Sequence, residues 1–433
     1  MFIKHIALLF SEASLWYLKY NSVGLTMFPI SHQGKWFRFL IVFIFLAASM
    51  ETDIYLPTFP DILKDLDTNA VMVQRIISYN FIGICLGSLI YGPLSDHFGR
   101  RPIMMFGFLI FLGASIGCVF AQTIDQLLAF RLIQGFGSSA CIIVGTTMIF
   151  DLFEEESAAK LVADLNALTV SVMAFAPLIG GWISIHMGYH ANFEFIAILV
   201  FISAVKCFLF VPESLSSKKR KKLIPKRVMT DYKCVLSSYS FWYSTLITSL
   251  ILAGYMVFVS NMSLLYVDNL AVKPEYFPFH QMATLGTFAL FSLSNGRLID
   301  RFGVEKLKGS GLCLMFLSIA SFWLVPNKML SSPDFLTFIV CVFSVGAALS
   351  IGLFFADSMQ VFPEMTGIAA SLVTSIRLVL VALAIDVASG FYDGSSQSVV
   401  NAMTVIVMGI AVLVLFRNIK RFKQLKLGNN LGA

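Results

Sequence analysis

The chain is 433 residues long, 58% hydrophobic and 13% charged, with a mean hydropathy of +0.82 and a formal net charge of +6. Soluble domains carry roughly 25% charged residues, so this composition cannot cover a water-facing surface, and it excludes a soluble enzyme or binding module. The positive charge lies in short loops rather than in a basic, aromatic-interleaved domain, which excludes nucleic-acid binding, and apolar runs of about 20 residues point to helices across a bilayer rather than to a β-barrel.

Residues 1–36 read as a cytoplasmic leader. The apolar stretch from Ile6 to Phe10 is interrupted by Ser11, Glu12 and Lys19. It is too short to span and no small-residue cleavage site follows it; Met27 offers a second start. Twelve spans then follow, at 37–59, 73–94, 102–121, 126–150, 161–186, 192–211, 241–266, 277–298, 309–326, 334–357, 366–388 and 398–416. The longest break holds Ser216-Ser-Lys-Lys-Arg-Lys-Lys222 and then Lys226-Arg227. It divides the chain into a first half at 37–211, a basic linker at 212–240, a second half at 241–418 and a tail at 419–433. Lys and Arg in short loops mark the cytoplasmic side. Arg100 and Arg101 follow span two, Arg297, Arg301, Lys306 and Lys308 surround the end of span eight, and Arg417, Lys420 and Arg421 begin the tail. Both termini and the linker are therefore expected in the cytoplasm.

Ionisable residues inside spans are costly and mark function. Span one carries Glu51 and Asp53, span four Arg131, span six Lys206, and span eleven Arg377 and Asp386. In Glu51-Thr-Asp-Ile-Tyr-Leu-Pro-Thr-Phe-Pro60 the two acids stand about 200° apart around a helix, so they cannot face one cavity together. Pro57 and Pro60 should break the outer end and free backbone carbonyls there. An acid among apolar side chains holds its proton toward neutral pH and can exchange it for a cationic or polar molecule. Arg131 lies in Leu127-Leu-Ala-Phe-Arg-Leu-Ile-Gln-Gly-Phe-Gly137, on a polar, closely packed face, and is expected to pair with a span-one acid or a backbone carbonyl. Arg377 and Asp386 are too far apart along their helix to pair with each other. Tyr55 is among the aromatics that could line a cavity.

Gly92-Pro-Leu-Ser-Asp-His-Phe-Gly-Arg-Arg101 and Gly296-Arg-Leu-Ile-Asp-Arg-Phe-Gly303 are copies of one turn, with Gly92 and Gly296, Asp96 and Asp300, and Gly99 and Gly303 each 204 residues apart. Gly92 is expected to let helices approach and Gly99 to allow a tight turn. Asp96, Arg100 and Arg101, with Asp300, Arg301 and Gly303 in the copy, are expected to latch the cytoplasmic ends of the two halves. Ala176-Pro-Leu-Ile-Gly-Gly181 should kink span five and open a close-contact groove through Pro177, Gly180 and Gly181. All seven cysteines except Cys234 fall in apolar runs without a CxxC pair, and His186 and His190 form the one helically spaced histidine pair, so neither metal nor cofactor is expected. Nothing resembles a phosphate-binding G-x-x-x-x-G-K-S/T loop.

These residues resemble the major facilitator superfamily over about 37–418. The likeness is closest to its twelve-span drug:proton antiporters, and within them to bicyclomycin- and chloramphenicol-resistance-like bacterial exporters. The span-two pattern G-x-L-S/A-D-R/K-x-G-R/K-R/K is matched by Gly92, Leu94, Ser95, Asp96, Gly99, Arg100 and Arg101, with His97 in place of a fixed cation. The span-four pattern is matched by Leu127, Arg131, Gln134, Gly135 and Gly137, and its arginine is implicated in proton coupling. The span-five pattern is matched only by Pro177, Gly180 and Gly181, since Val172 and Ala176 replace glycines. The branch-specific run T-D-x-Y-L-P-x-x-P is matched by Thr52, Asp53, Tyr55, Leu56, Pro57 and Pro60. The resemblance implies an all-α protein of two six-helix bundles with a midplane site between them. It implies a monomeric, proton-coupled exporter of small hydrophobic or cationic molecules in a bacterial inner membrane, with Glu51, Asp53, Tyr55 and Arg131 at the site. Export of an endogenous metabolite such as a siderophore, proton-symport uptake and, behind both, a polytopic membrane enzyme are the rival readings.

Overall fold

An apolar run that crosses lipid finds no water for its amides, so it must close its hydrogen bonds internally. The computed structural model describes residues 30–216, 220, 225–362 and 365–430, and among these every regular element is helical. The elements are α1 (Ile30–Asp53), a 3₁₀ turn (Leu56–Thr58), α2 (Phe59–Asp65), α3 (Ala70–Phe98), α4 (Arg100–Val119), α5 (Ile124–Leu152), α6 (Glu155–Met187) and α7 (His190–Phe210). There follow α8 (Pro225–Leu236), α9 (Tyr239–Leu264, extended by a π-helical turn to Asn269), α10 (Phe277–Phe302), α11 (Val304–Leu324), α12 (Asn327–Leu330), α13 (Pro333–Gln360), α14 (Thr366–Gly390) and α15 (Ser396–Asn430). Residues 1–29 of the expected leader, most of the 217–224 basic run and residues 431–433 lie outside the described residues.

Eleven of the segments are long and apolar enough to cross a membrane. The eighth expected span corresponds to α10, which is as long as the others but more polar: it carries His280, Gln281, Asn295, Arg297, Asp300 and Arg301. The surface fits lipid, with Phe120 75%, Val405 73% and Leu324 84% exposed. The linker contains a helix, because Tyr232, Val235 and Leu236 fall on one face of α8 and pack against Ala369, Leu372 and Val373 of α14.

Local chemistry sets the helix ends. Asn69, Thr123 and Ser238 cap α3, α5 and α9, each accepting from a backbone N–H three residues on. The prolines do what the sequence predicts: α1 stops at Asp53, Pro57 enters a 3₁₀ turn and Pro60 starts α2. Gly99 (φ +106°) and Gly303 (φ +82°) make the turns from α3 to α4 and from α10 to α11 with nearly the same ψ, so the sequence repeat is also a backbone repeat. These two turns, with Arg100, Arg101, Arg301 and Lys308 beside them, mark the basic face of the molecule.

The helices before and after α8 meet at the opposite face. There the Gln74 amide donates to Asn261 Oδ1 at 2.9 Å, Arg75 meets Asp386 at 2.5 Å, and Ser263 Oγ donates to the Pro57 carbonyl at 3.3 Å. Nearer the basic face α3 and α14 stay joined by Ser88 and Ser375, 2.7 Å apart. Glycines permit close approaches both within the first half and between the halves. A Cβ on Gly180 would lie 1.7 Å from the Ile54 carbonyl oxygen, and one on Gly181 would lie 2.4 Å from Pro278 of α10. Gly92 differs from expectation: nothing lies within 4 Å of where its Cβ would be, because that part of α3 faces open space, so it mediates no close helix contact here.

Gly180→Ala should therefore cost about 1–3 kcal/mol of stability through overpacking, and Gly92→Ala should be neutral or stabilising. Thermal unfolding of the two purified variants in detergent checks the contrast.

Candidate functional site

A charged side chain in a membrane interior needs a partner and hydrogen bonds to all its remaining polar atoms. Glu51 on α1 has both. Its side chain is fully buried, and Arg131 Nη1 on α5 lies 2.9 Å from Oε2. The Asn80 amide of α3 donates to both carboxylate oxygens at 3.2 Å, and Ser138 Oγ of α5 donates to Oε1 at 3.1 Å. Arg131 is held in turn by the Glu51 carbonyl at 3.1 Å, by Gln134 Oε1 at 2.5 Å and by the Tyr55 hydroxyl. Its guanidinium carbon stands 4.2 Å from the centre of the Tyr55 ring, a cation–π contact. Gln134 Nε2 extends the chain to Ser115 Oγ at 2.9 Å. Glycine makes the site possible, since a Cβ on Gly135 would lie 2.1 Å from the Asn80 carbonyl oxygen. Of the four predicted residues, Glu51, Tyr55 and Arg131 are thus brought into one network.

Asp53 stands apart, as the angular separation predicts. It is 3% exposed, and no described residue donates a hydrogen bond to its carboxylate. Glu51, Arg131 and Tyr255 of α9 are within electrostatic reach. Tyr255 is buried with its hydroxyl unpartnered and stacks on Phe288 of α10 at 5.0 Å. Gln281 of α10 is fully buried with neither amide atom bonded. Two second-half helices thus carry buried donors and acceptors without partners. A separate cleft of about 460 Å³, lined by Tyr276, Phe279, His280, Ala283, Asp334 and Thr337, opens at the opposite face. It contains none of these acids.

The turn at 92–101 ties together helices of its own half. Arg100 is 7% exposed and reaches Asp96 at 2.6 Å, Asp151 at the end of α5 at 2.9 Å and Ser95 Oγ at 2.7 Å. Its backbone N–H donates to Glu213 beyond α7 at 3.0 Å, and Arg101 donates to the Phe208 carbonyl. The copy departs from expectation. Asp300 and Arg301 are exposed, the Arg301 guanidinium lies over the adjacent Phe302 ring, and no described residue forms an ion pair with either. The equivalent brace uses Lys308, which meets Asp357 at the end of α13 at 2.6 Å and Glu305 at 3.0 Å. The turn was copied but its cation moved into the first turns of the following helix. Pro177, Gly180 and Gly181 lie where α6 crosses the broken end of α1. Among the described residues no three His, Cys, Asp or Glu side chains cluster as metal ligands.

Asn80, Ser138, Gln74, Asn261 and Gln281 were missed. Their signal was available, because an amide inside an apolar run is expensive unless it is bonded or faces a cavity.

The family model for the Major Facilitator Superfamily matches residues 41–385. A bicyclomycin resistance protein homolog of Haemophilus influenzae is 27% identical over 76% of this chain and 83% of its own. A chloramphenicol resistance protein of Pseudomonas aeruginosa is 26% identical over 66% of this chain and 68% of its own. Among solved structures, the xylose transporter XylE of E. coli, in a partially occluded inward-open conformation, superposes with a TM-score of 0.69 at 12% identity, over 88% of this chain and 97% of that one. The chain belongs to the major facilitator superfamily, whose members are membrane transporters.

Because Glu51 and Arg131 satisfy each other, removing one should be worse than removing both. Arg131→Ala is expected to cost about 3–5 kcal/mol, and the pair Glu51→Leu with Arg131→Met should recover most of that. Thermal unfolding of the single and double variants reads the difference.

Proposed function

We propose that this superfamily member is a monomeric, proton-coupled exporter of small hydrophobic or cationic molecules. It would sit in a bacterial cytoplasmic membrane with both termini and the basic face in the cytoplasm. The observation that carries the reading is the contrast between two neighbouring acids: Glu51 is committed to Arg131, and Asp53 is almost buried without a hydrogen bond. A carboxylate in that position takes up either a proton or a cationic cargo, and the competition couples the two flows. Arg131 cannot release its proton. It acts on the site through its charge and by fixing Glu51 and Tyr55. The relatives named for bicyclomycin and chloramphenicol resistance support export. A membrane potential of 100 mV supplies about 2.3 kcal/mol per charge moved.

The site would open alternately by rocking of the two halves. The contacts of Gln74 with Asn261 and of Arg75 with Asp386 close the outer side in this state. The braces at Arg100 and Lys308 keep each half rigid on the cytoplasmic side and so frame the gate there.

In proteoliposomes with an acidic lumen, ethidium should accumulate inside, and Asp53→Asn should abolish that accumulation while leaving the protein folded. Transport by Asp53→Asn at the wild-type rate would remove Asp53 from the coupling. Accumulation only into an alkaline lumen would show symport. Cysteines at Gln74 and Asn261, in a background lacking the native ones, should arrest transport when oxidised and release it on reduction; continued turnover of the oxidised protein would sink the alternating gate.

A further inference from the structure

Arg377 lies near the middle of α14, on a stripe that faces protein. Val373 and Val381, four residues to either side, are both 0% exposed, whereas the lipid-facing side of the helix shows Leu383 at 54% and Val387 at 60%. Arg377 itself, on this protein-facing stripe, keeps partial exposure. Its guanidinium carbon stands 5.0 Å from the ring centre of Phe355 on α13, and its Nε is buried without an acceptor. Among the described residues no carboxylate pairs with it and no group accepts a hydrogen bond from it.

Arg131 also has a buried Nε without an acceptor, so it is the lack of any carboxylate partner that sets Arg377 apart from most other cations held within the helices. Arg131 has Glu51, Arg75 has Asp386 and Lys308 has Asp357. Lys206 also lacks an ion pair, but it sits near the end of α7 over Phe43 and half-exposed Phe39, where a lysine can reach the interface. An unpaired guanidinium at mid-span is costly, and the cost is relieved by an anion. A planar fork with free N–H groups suits a carboxylate, which it can bind through two parallel hydrogen bonds.

We propose that Arg377 is a binding site for the carboxylate of an amphipathic organic anion, whose apolar body rests on the wall formed by Phe355 and its neighbours. Transport of this anion would rest on the export reading; its binding does not. Asp53 and Arg377 lie on helices of different halves, α1 and α14.

The test is equilibrium binding of 1-naphthoate and of its neutral isostere 1-naphthamide to the full chain in phosphatidylcholine nanodiscs. The wild type should bind the naphthoate about tenfold more tightly than the amide. Arg377→Gln should erase that preference and leave naphthamide affinity in place, and Arg377→Lys should keep part of it. If the Gln variant fails to fold, the loss of part of the preference in the Lys variant carries the same information. A wild type without preference for the carboxylate, or variants that retain it in full, would overturn the site. Repeating the measurement with phosphatidylglycerol in the disc separates sources. Preference that persists supports a soluble organic anion, and preference competed away by that lipid overturns it in favour of a headgroup. No gradient is involved, so failure here is distinct from failure to accumulate ethidium.

Discussion

The buried pair of Glu51 and Arg131 is the constraint on which the first half depends. Two charges in a low-dielectric interior are tolerated only if attraction and hydrogen bonding together offset their lost hydration. Here that requires α1, α3 and α5 to meet at one point: Glu51 from the first, Asn80 from the second, Arg131, Gln134 and Ser138 from the third. Such convergence is possible only where backbones approach closely. Gly83 faces the Leu132 carbonyl and Gly135 faces the Asn80 carbonyl, each too near for a side chain. The pair also decides what its neighbour can do. With Arg131 engaged by Glu51, by Gln134 and by Tyr55, it makes no hydrogen bond to Asp53.

The two halves solve the problem of bracing their basic ends differently. The turn was inherited intact, since Gly99 and Gly303 share a backbone conformation that other residues rarely adopt. The charge pair was not. In the first half the cation is at the helix start, at Arg100; in the second it is Lys308, and the acids Asp151 and Asp357 close each brace from the end of the fourth long helix in their half. What is preserved is a cation joining the start of one helix to the end of another, not the residue that supplies it.

This explains what could be read from the sequence. The apolar runs, the break at Pro57 and Pro60, the repeated turn and the opposed directions of Glu51 and Asp53 are local properties, set by composition and by 100° per residue, and they survive into the fold. Which acid meets Arg131 is not local, because it depends on where α5 crosses α1. The same is true of Arg75 with Asp386 and Gln74 with Asn261, each joining residues far apart in the chain. That the second half braces its end with Lys308 and Asp357 is not local either: the repeat of a motif does not report which cation meets an acid on another helix.

The strengths of these contacts are ordered in a way that suits a carrier. Within the first half, losing one member of the Glu51 and Arg131 pair would cost about 3–5 kcal/mol, so the pair holds α1 and α5 together. Between the halves, at the closed face, the contacts are weaker. Arg75 and Asp386 are 36% and 42% exposed, and a pair so open to solvent contributes about 0.2–1 kcal/mol. Hydrogen bonds between helices in membranes average about 0.6 kcal/mol, which covers Gln74 with Asn261 and Ser263 with Pro57. Parting the closed face therefore breaks several small contacts, while the large one remains intact. The polar contacts across the seam are thus individually small, and the large charge pair lies wholly inside one half.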